Sequence, residues 1–314
     1  VSGAGATVGA GAGGLTVLAP AKLNLSLAVL ARRPDGFHEI ESLMVPVTLA
    51  DTLHVRGRSE PGVGLTVSYA GPLAGAQVAH DVPTDGTNLV VRAASLLAAE
   101  ANVKTGLEVA LVKRVPSGAG LGGGSSDAAA VIHAAAALWR LDWPAGRLAA
   151  LGARIGSDVP WFFAGGPAIV SGRGEQVMPV AGLPDRAAVI AWPGVGLSTA
   201  AVYARCTPDA GRRGDAAHLV AALAEGRMRD AERLMANALE PPARMLSPGI
   251  DRLLEAIATA GGSAPRLTGS GSACFALTRT FAEAEAIAAR LSARTTTAAP
   301  PCVMAVPVRC TLPR

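Results

Sequence analysis

Residues 115–130 read VPSGAGLGGGSSDAAA. Five of the seven residues from 118 to 124 are glycine, but the chain of 314 holds 37 glycines, so the count alone carries little. The setting carries more. The apolar run from Leu107 to Val112 predicts a strand leading in, and the alanine-rich run after Ser125-Ser126-Asp127 predicts a helix over about 126–141 leading out. Glycine lets the backbone take positive φ and approach a ligand closely, while a helix start offers unpaired N–H groups and a partial positive charge. Phosphate binds in such places. The same text also suits a plain glycine-rich turn with a serine cap. GK[ST] is absent and no GxGxxG opens a dinucleotide-type unit, so neither of those nucleotide loops is at hand. The Gly/Ala run at residues 1–14 has no strand or helix beside it and reads as a flexible tail.

Upstream, Leu23, Leu25, Leu27 and Val29 alternate with Lys22, Asn24, Ser26 and Ala28, the period of a strand from 15 to 29. Lys22 and Asn24 therefore share a face. A strand lysine is ordinarily a snorkelling edge residue. Here only Lys22, Lys104 and Lys113 are lysine among 28 basic residues, which marks Lys22 out. Pro34-Asp35-Gly36 signals a turn before Phe37 and His38. A phenylalanine in that position ordinarily packs into a core, and a lone histidine is ordinarily a surface group. Residues 43–55 and 63–69 read as strands, and Asn88 caps a helix striped by Leu89, Ala93, Leu96 and Leu97.

Downstream, a short helix follows Pro144, and Asp158 stands where it stops, a place where capping is the ordinary role. The second half offers the strand AAVIAWPG, two or three helices between 200 and 260, and a second Gly/Ser loop, LTGSGSACFAL, at 267–277. That loop suits a tight turn or a second set of backbone donors equally well. Strands and helices mix without a βαβ beat, which predicts an α+β fold in two parts, 15–184 and 185–314.

Composition narrows the function. Aromatics are 4% of residues and the formal net charge is +4, from 28 basic against 24 acidic groups, so no nucleic-acid partner is expected. The longest alanine-rich apolar stretch, Ala128 to Leu138, falls short of the ~20 residues of a spanning helix, so no membrane partner is expected. Cys206, Cys274, Cys302 and Cys310 lack CxxC spacing and read as reduced thiols of a cytoplasmic protein.

APAKLNLSL, RRPDGFHEIES, VPSGAGLGGGSSDAAA, GSDVPWFFAGGPAIVSGRGE and LTGSGSACFAL, in that order, resemble the GHMP small-molecule kinase superfamily from about Pro20 to Leu277. The set AKLNL, DGFHE and GSDVP resembles the branch that phosphorylates a hydroxyl of a diphosphocytidyl methylerythritol in the non-mevalonate route to isoprenoids. The resemblance implies two domains, the first with a left-handed βαβ crossover and the second ferredoxin-like, with the active site between them. It implies ATP as phosphoryl donor, with magnesium expected. Lys22 and Asp158 match the catalytic pair. Pro116, Ser117, Gly118, Ala119, Gly120, Leu121, Gly122, Gly123, Gly124, Ser125 and Ser126 match the triphosphate loop, and Asn88 and Lys113 match positions near the nucleotide. Asn24, Phe37, His38 and Tyr203 match the substrate cleft, with the two aromatic rings sandwiching the cytosine and His38 reading its polar edge. Three features depart from the pattern: Phe37 in place of tyrosine, Ala238 where aspartate usually follows asparagine, and the extension before Leu15. Kinases of other small alcohols, and a non-catalytic nucleotide-binding relative, are the competing readings.

Overall fold

The structure, a computed structural model, describes residues 9–11, 14–74, 82–293 and 302–310. The first half holds strands β1 (Gly9–Gly11), β2 (Gly14–Asn24), β3 (Ala28–Arg32), β4 (His38–Arg58) and β5 (Val63–Tyr69), then helix α1 (Leu89–Glu100), β6 (Gly106–Lys113), α2 (Gly123–Leu138), α3 (Ala145–Ala153), β7 (Ala168–Gly172) and β8 (Gln176–Pro179). These strands form one sheet in the order β1-β2-β4-β6-β5, with β3 and β7 also on β4 and β8 on β7. The long β4 is the spine. Only β5 and β6 are parallel, and α1 makes the crossover between them that parallel pairing requires. Asn88 caps α1 by accepting from the Val90 N–H at 2.8 Å, as the sequence predicts.

The second half holds β9 (Ala187–Trp192), α4 (Thr199–Tyr203), α5 (Asp215–Ala224), α6 (Met228–Leu234), α7 (Glu240–Leu246), α8 (Gly249–Thr259), β10 (Arg266–Leu267), β11 (Cys274–Thr278), α9 (Phe281–Ala293) and β12 (Met304–Arg309). Its strands form an antiparallel sheet, β10-β11-β9-β12, the strand order of a ferredoxin-like unit. The expected α+β class and the arrangement in two parts, the second ferredoxin-like, are both present.

Three apolar layers hold this together. Leu97 and Ile132, from α1 and α2, pack on Leu53 and Leu111 of the first sheet. Leu253, Ile257 and Leu291 pack on Val189 and Ala191 of the second. Between the sheets, Leu23, Leu25, Leu43 and Val45 meet Ile190, Phe275 and Leu277 in one continuous core. Burial on this scale is what fixes the two halves against each other. No helix among the described residues is long and apolar enough to cross a membrane.

The structure departs from the sequence reading in four places. The expected strand from 15 to 29 is two strands, because Leu27 leaves β4 and exchanges backbone bonds with residues 236–238 instead. The helix after the glycine loop starts at Gly123, with left-handed Gly122 (φ 72) as its cap in place of a serine. Five helices, not two or three, lie between 199 and 259, separated near Gly214, Gly226 and Pro248. In the expected flexible tail, Gly9–Gly11 pairs antiparallel with the start of β2; residues 1–8 and 12–13 lie outside the described set.

Candidate active site

A cavity of about 1060 Å³ opens between the two sheets, and residues 116–125 form one wall of it. Gly118, Gly120 and Gly122 all have positive φ (65, 76 and 72), which folds the loop back on itself before α2 begins. The start of α2 leaves the N–H groups of Gly123, Gly124 and Ser125 without intrahelical partners, at the positive end of the helix. The second Gly/Ser loop packs directly on the first. Ala273 N–H donates to the Ala119 carbonyl at 3.1 Å, and a Cβ on Gly120 would stand 2.1 Å from the Thr268 carbonyl oxygen. The second loop is a tight turn, which Gly271 closes onto Thr268, and Gly269 and Ser270 line the cavity. Asn237 anchors the turn by donating to the carbonyls of Leu267 (2.9 Å) and Gly269 (2.8 Å). Ala238 beside it serves through its backbone, bonded to Leu27.

Lys22 enters this wall from β2. The β2–β4 register shifts between Pro20 and Lys22, a bulge of the kind that re-aims a side chain beside a site. Its Nζ is 3% exposed with the rest of the residue, donates to the Gly120 carbonyl at 2.7 Å, and donates to Asn24 Oδ1. Burial lowers the ammonium pKa, and the charge of Asp158 offsets only part of the shift. Asp158 lies on the opposite lip, before a short 3₁₀ turn, Val159–Phe163, that its side chain does not cap. The ordinary capping role is therefore empty, and the carboxylate lines the cavity. The two residues, 136 positions apart, act on each other through space; among the described residues' ion pairs none joins them.

The other end of the cavity is aromatic. His38 and Tyr203 pack with ring centroids 5.1 Å apart and planes tilted by 34°. Phe37 is 47% exposed at the mouth, so it is not a core residue, and the Arg173 guanidinium lies 5.0 Å from its ring centroid. Burial, then the charge of Arg32, lowers the His38 pKa, favouring the neutral ring. Burial, then Asp158, raises that of the Tyr203 phenol.

Three residues expected to touch ligand are spent on the protein, and a fourth, Ser126, does not line the cavity. Asn24 also lines the cavity, but its Oδ1 accepts from Lys22 and its Nδ2 donates to Ser42 Oγ at 2.8 Å, so it holds the lysine. Asn88 does not line the cavity: one side of its amide caps α1 and the other donates to the Pro83 carbonyl at 2.6 Å. Lys113 is 2% exposed beneath the glycine loop, paired with Asp51 and, at 2.8 Å, with Asp127. A Cβ on Gly123 would lie 3.3 Å from its Nζ. Asp51 also accepts the Val115 N–H at 2.8 Å, so the triad fixes the strand end from which the loop departs. Ser126 faces inward with its hydroxyl unpartnered.

The GHMP kinases N terminal domain family matches residues 88–166, and the GHMP kinases C terminal family matches 219–295. The 4-diphosphocytidyl-2-C-methyl-D-erythritol kinase of Pelotomaculum thermopropionicum is 38% identical over 277 residues, 88% of this chain and 93% of that protein. The chain belongs to the 4-diphosphocytidyl-2-C-methyl-D-erythritol kinase family. The kinase of the same name from Rhodopirellula baltica is 42% identical over 289 residues, 82% of this chain and 85% of that one. A crystal structure of 4-(cytidine 5'-diphospho)-2C-methyl-D-erythritol kinase superposes with a TM-score of 0.73 at 35% identity, covering 94% of this chain and 98% of that one.

Within this diphosphocytidyl-methylerythritol kinase fold, sequence reasoning passed over Asp51, Arg32, Arg173 and Thr199. Asp51 carried a usable signal, a lone carboxylate in the apolar text LADTLHV, and it is fully buried. The two arginines carried none, being two of many. Thr199 lines the cavity and shares a 2.9 Å hydrogen bond with Ser270, tying α4 to the second glycine loop.

Proposed function

We propose that this protein transfers the γ-phosphoryl group of ATP to a hydroxyl of 4-diphosphocytidyl-2-C-methyl-D-erythritol. The observation that carries the reading is the pairing, in one cavity, of a glycine loop at a helix start with an uncapped carboxylate and a buried lysine. The loop N–H groups and the α2 dipole receive the triphosphate. Phosphoryl transfer through a loose transition state needs positioning and charge neutralisation more than a strong base. Asp158 orients the acceptor hydroxyl and takes its proton as the bond to phosphorus forms. Lys22 offsets negative charge on the group in flight, and Asn24 keeps it aimed. Phe37, His38 and Tyr203 seat the cytosine, so that remote binding energy holds the hydroxyl in line. With Phe37 in place of tyrosine, the seat keeps a stacking face and has no phenol at that position.

Magnesium accompanies the nucleotide in this reading. Among the described residues no group of three or more His, Cys, Asp or Glu is arranged to hold a metal ion, and a metal entering with ATP would keep phosphate oxygens and water among its ligands. Ser125, whose residue lines the cavity at the start of α2, is the loop hydroxyl to add to them. The division of the chain near residue 184 falls between β8 and β9 and belongs to the same reading. The proposed setting is the cytoplasm, which supplies ATP and keeps thiols such as the free Cys206, Cys274, Cys302 and Cys310 reduced. The test is phosphorus NMR of the protein with ATP, magnesium and the cytidyl compound: a new phosphomonoester resonance appearing in step with ADP supports the reading, and its absence from active-site-intact protein refutes it.

A further inference from the structure

Arg173 is a cavity-lining cation with no role in the chemistry above. It sits in the turn after β7 between Gly172 and Gly174, both at positive φ (69 and 116). Its N–H donates to Glu175 Oε2 at 2.8 Å, which fixes the turn. On one side its guanidinium stands 5.0 Å from the Phe37 ring centroid. On the other, the adjoining Gly174 abuts the catalytic lip: a Cβ there would lie 3.4 Å from Ser157 Cβ and 3.6 Å from Asp158 Oδ1. The turn therefore reaches from the aromatic seat to the carboxylate.

That guanidinium is nearly free. Among the described residues it enters no ion pair within 4.0 Å, and its hydrogen bond to protein is a long one, 3.5 Å to the Ala153 carbonyl. Asp35, which feels its charge, is already bonded to Arg33. The remaining cations on the cavity wall are placed elsewhere. Lys22 is tied to Gly120 and Asn24, and Arg32 is the register partner of His38 at the base end.

We propose that Arg173 binds the diphosphate that joins the two ends of the acceptor substrate. The inference rests on the cytidyl-kinase reading. A molecule with its base at Phe37 and Tyr203 and its acceptor hydroxyl at Asp158 must carry its diphosphate past the turn that links those points. Two phosphates leaving water next to a carboxylate need a cation, and a guanidinium offers a planar fork that matches phosphate oxygens in pairs. Stacked on Phe37, Arg173 also holds that ring in place for the base.

Competitive inhibition by cytidine and by CDP, each against the cytidyl substrate at saturating ATP, tests this in wild type, Arg173→Gln and Arg173→Lys. Arg173→Gln should weaken CDP about tenfold or more, the scale of a hydrogen bond to a charged group, while cytidine binds as before. The KM for the cytidyl substrate should rise in parallel, with the KM for ATP and the melting temperature unchanged. Arg173→Lys should recover part of the loss. Equal weakening of CDP and cytidine would overturn the proposal in favour of a role through Phe37 alone. Unchanged CDP binding, or a selective rise in the KM for ATP, would overturn it as well. If wild type binds neither CDP nor cytidine, the parent reading has failed and this inference falls with it.

Discussion

Lys22 Nζ donates to the carbonyl oxygen of Gly120 at 2.7 Å, so the cation that faces Asp158 is tied to the glycine loop. The backbone repeats the tie, with Lys22 N–H donating to the Leu121 carbonyl at 3.0 Å. The position of the loop and the position of the buried cation are thus one property. A shift of the loop carries the lysine with it, which suits the proposed reaction, governed by alignment.

Asp158→Asn should lower kcat by about 10²–10⁴, the range for loss of a positioned general base, with ATP affinity and the melting temperature nearly unchanged. The carboxylate caps no helix, so the fold loses nothing with it. Single-turnover kinetics beside a thermal melt check this. A near-normal kcat would remove Asp158 from the chemistry.

Gly120→Ala should weaken ATP binding at least tenfold. Its φ of 76 disfavours any side chain, at a cost of about 1–2 kcal/mol, and its Cβ would collide with the Thr268 carbonyl at 2.1 Å. The two loops would have to part. Calorimetric ATP titration of the folded variant is the measurement, and unchanged affinity would move the triphosphate elsewhere. A side chain at Gly123 acts differently, since its Cβ would point at Val115 (3.0 Å) and Lys113 (3.3 Å), away from the cavity.

Phe37→Ala should raise the KM for the cytidyl substrate about tenfold, from about 1–3 kcal/mol of base stacking, and leave the KM for ATP alone. At 47% exposure the ring adds little to the core, so the melting temperature should hold. A uniform loss in all parameters with a lower melting temperature would make Phe37 a packing residue after all.

Asp127 predicts a pH dependence of stability. Burial, against the pull of Lys113 and with the push of the Asp51 carboxylate, moves its carboxyl from an ordinary 3.8 up to about 7. Between those values the folded state keeps a proton that the unfolded chain has released, so stability present at low pH is lost as pH rises through 7. Wild type should therefore weaken relative to Asp127→Asn by up to about 1.4 kcal/mol per pH unit from pH 4 to 7. Groups that do not touch Asp127, such as buried His133, whose pKa burial lowers, contribute alike in both proteins and cancel. Denaturant unfolding at a series of pH values checks it, and parallel curves would contradict it.

Local signals were legible and distant ones were not. The Asn88 cap and the strands beside the glycine loop were readable because each rests on neighbours in sequence. The start of α2 was misplaced because serine is the common cap, whereas a left-handed Gly122 turns the chain earlier. Lys113 matches, by resemblance, a position near the nucleotide, yet its partners come from 62 and 14 residues away. No spacing rule joins Lys22 to Asp158; only the order of motifs shared with a known superfamily did. Arg173 is one arginine among many in the sequence, and its meaning comes from the ring and the carboxylate that the fold sets on either side.

The most direct test of the central claim is kcat/KM, measured by ADP release, for the cytidyl compound against mevalonate and homoserine at equal enzyme and ATP. The aromatic seat predicts a ratio of at least about 30, from two stacked rings at about 1–3 kcal/mol each. The full effect should vanish for the cytidyl compound in Asp158→Asn. Comparable rates with mevalonate or homoserine, or ADP release that no acceptor stimulates, would contradict the account.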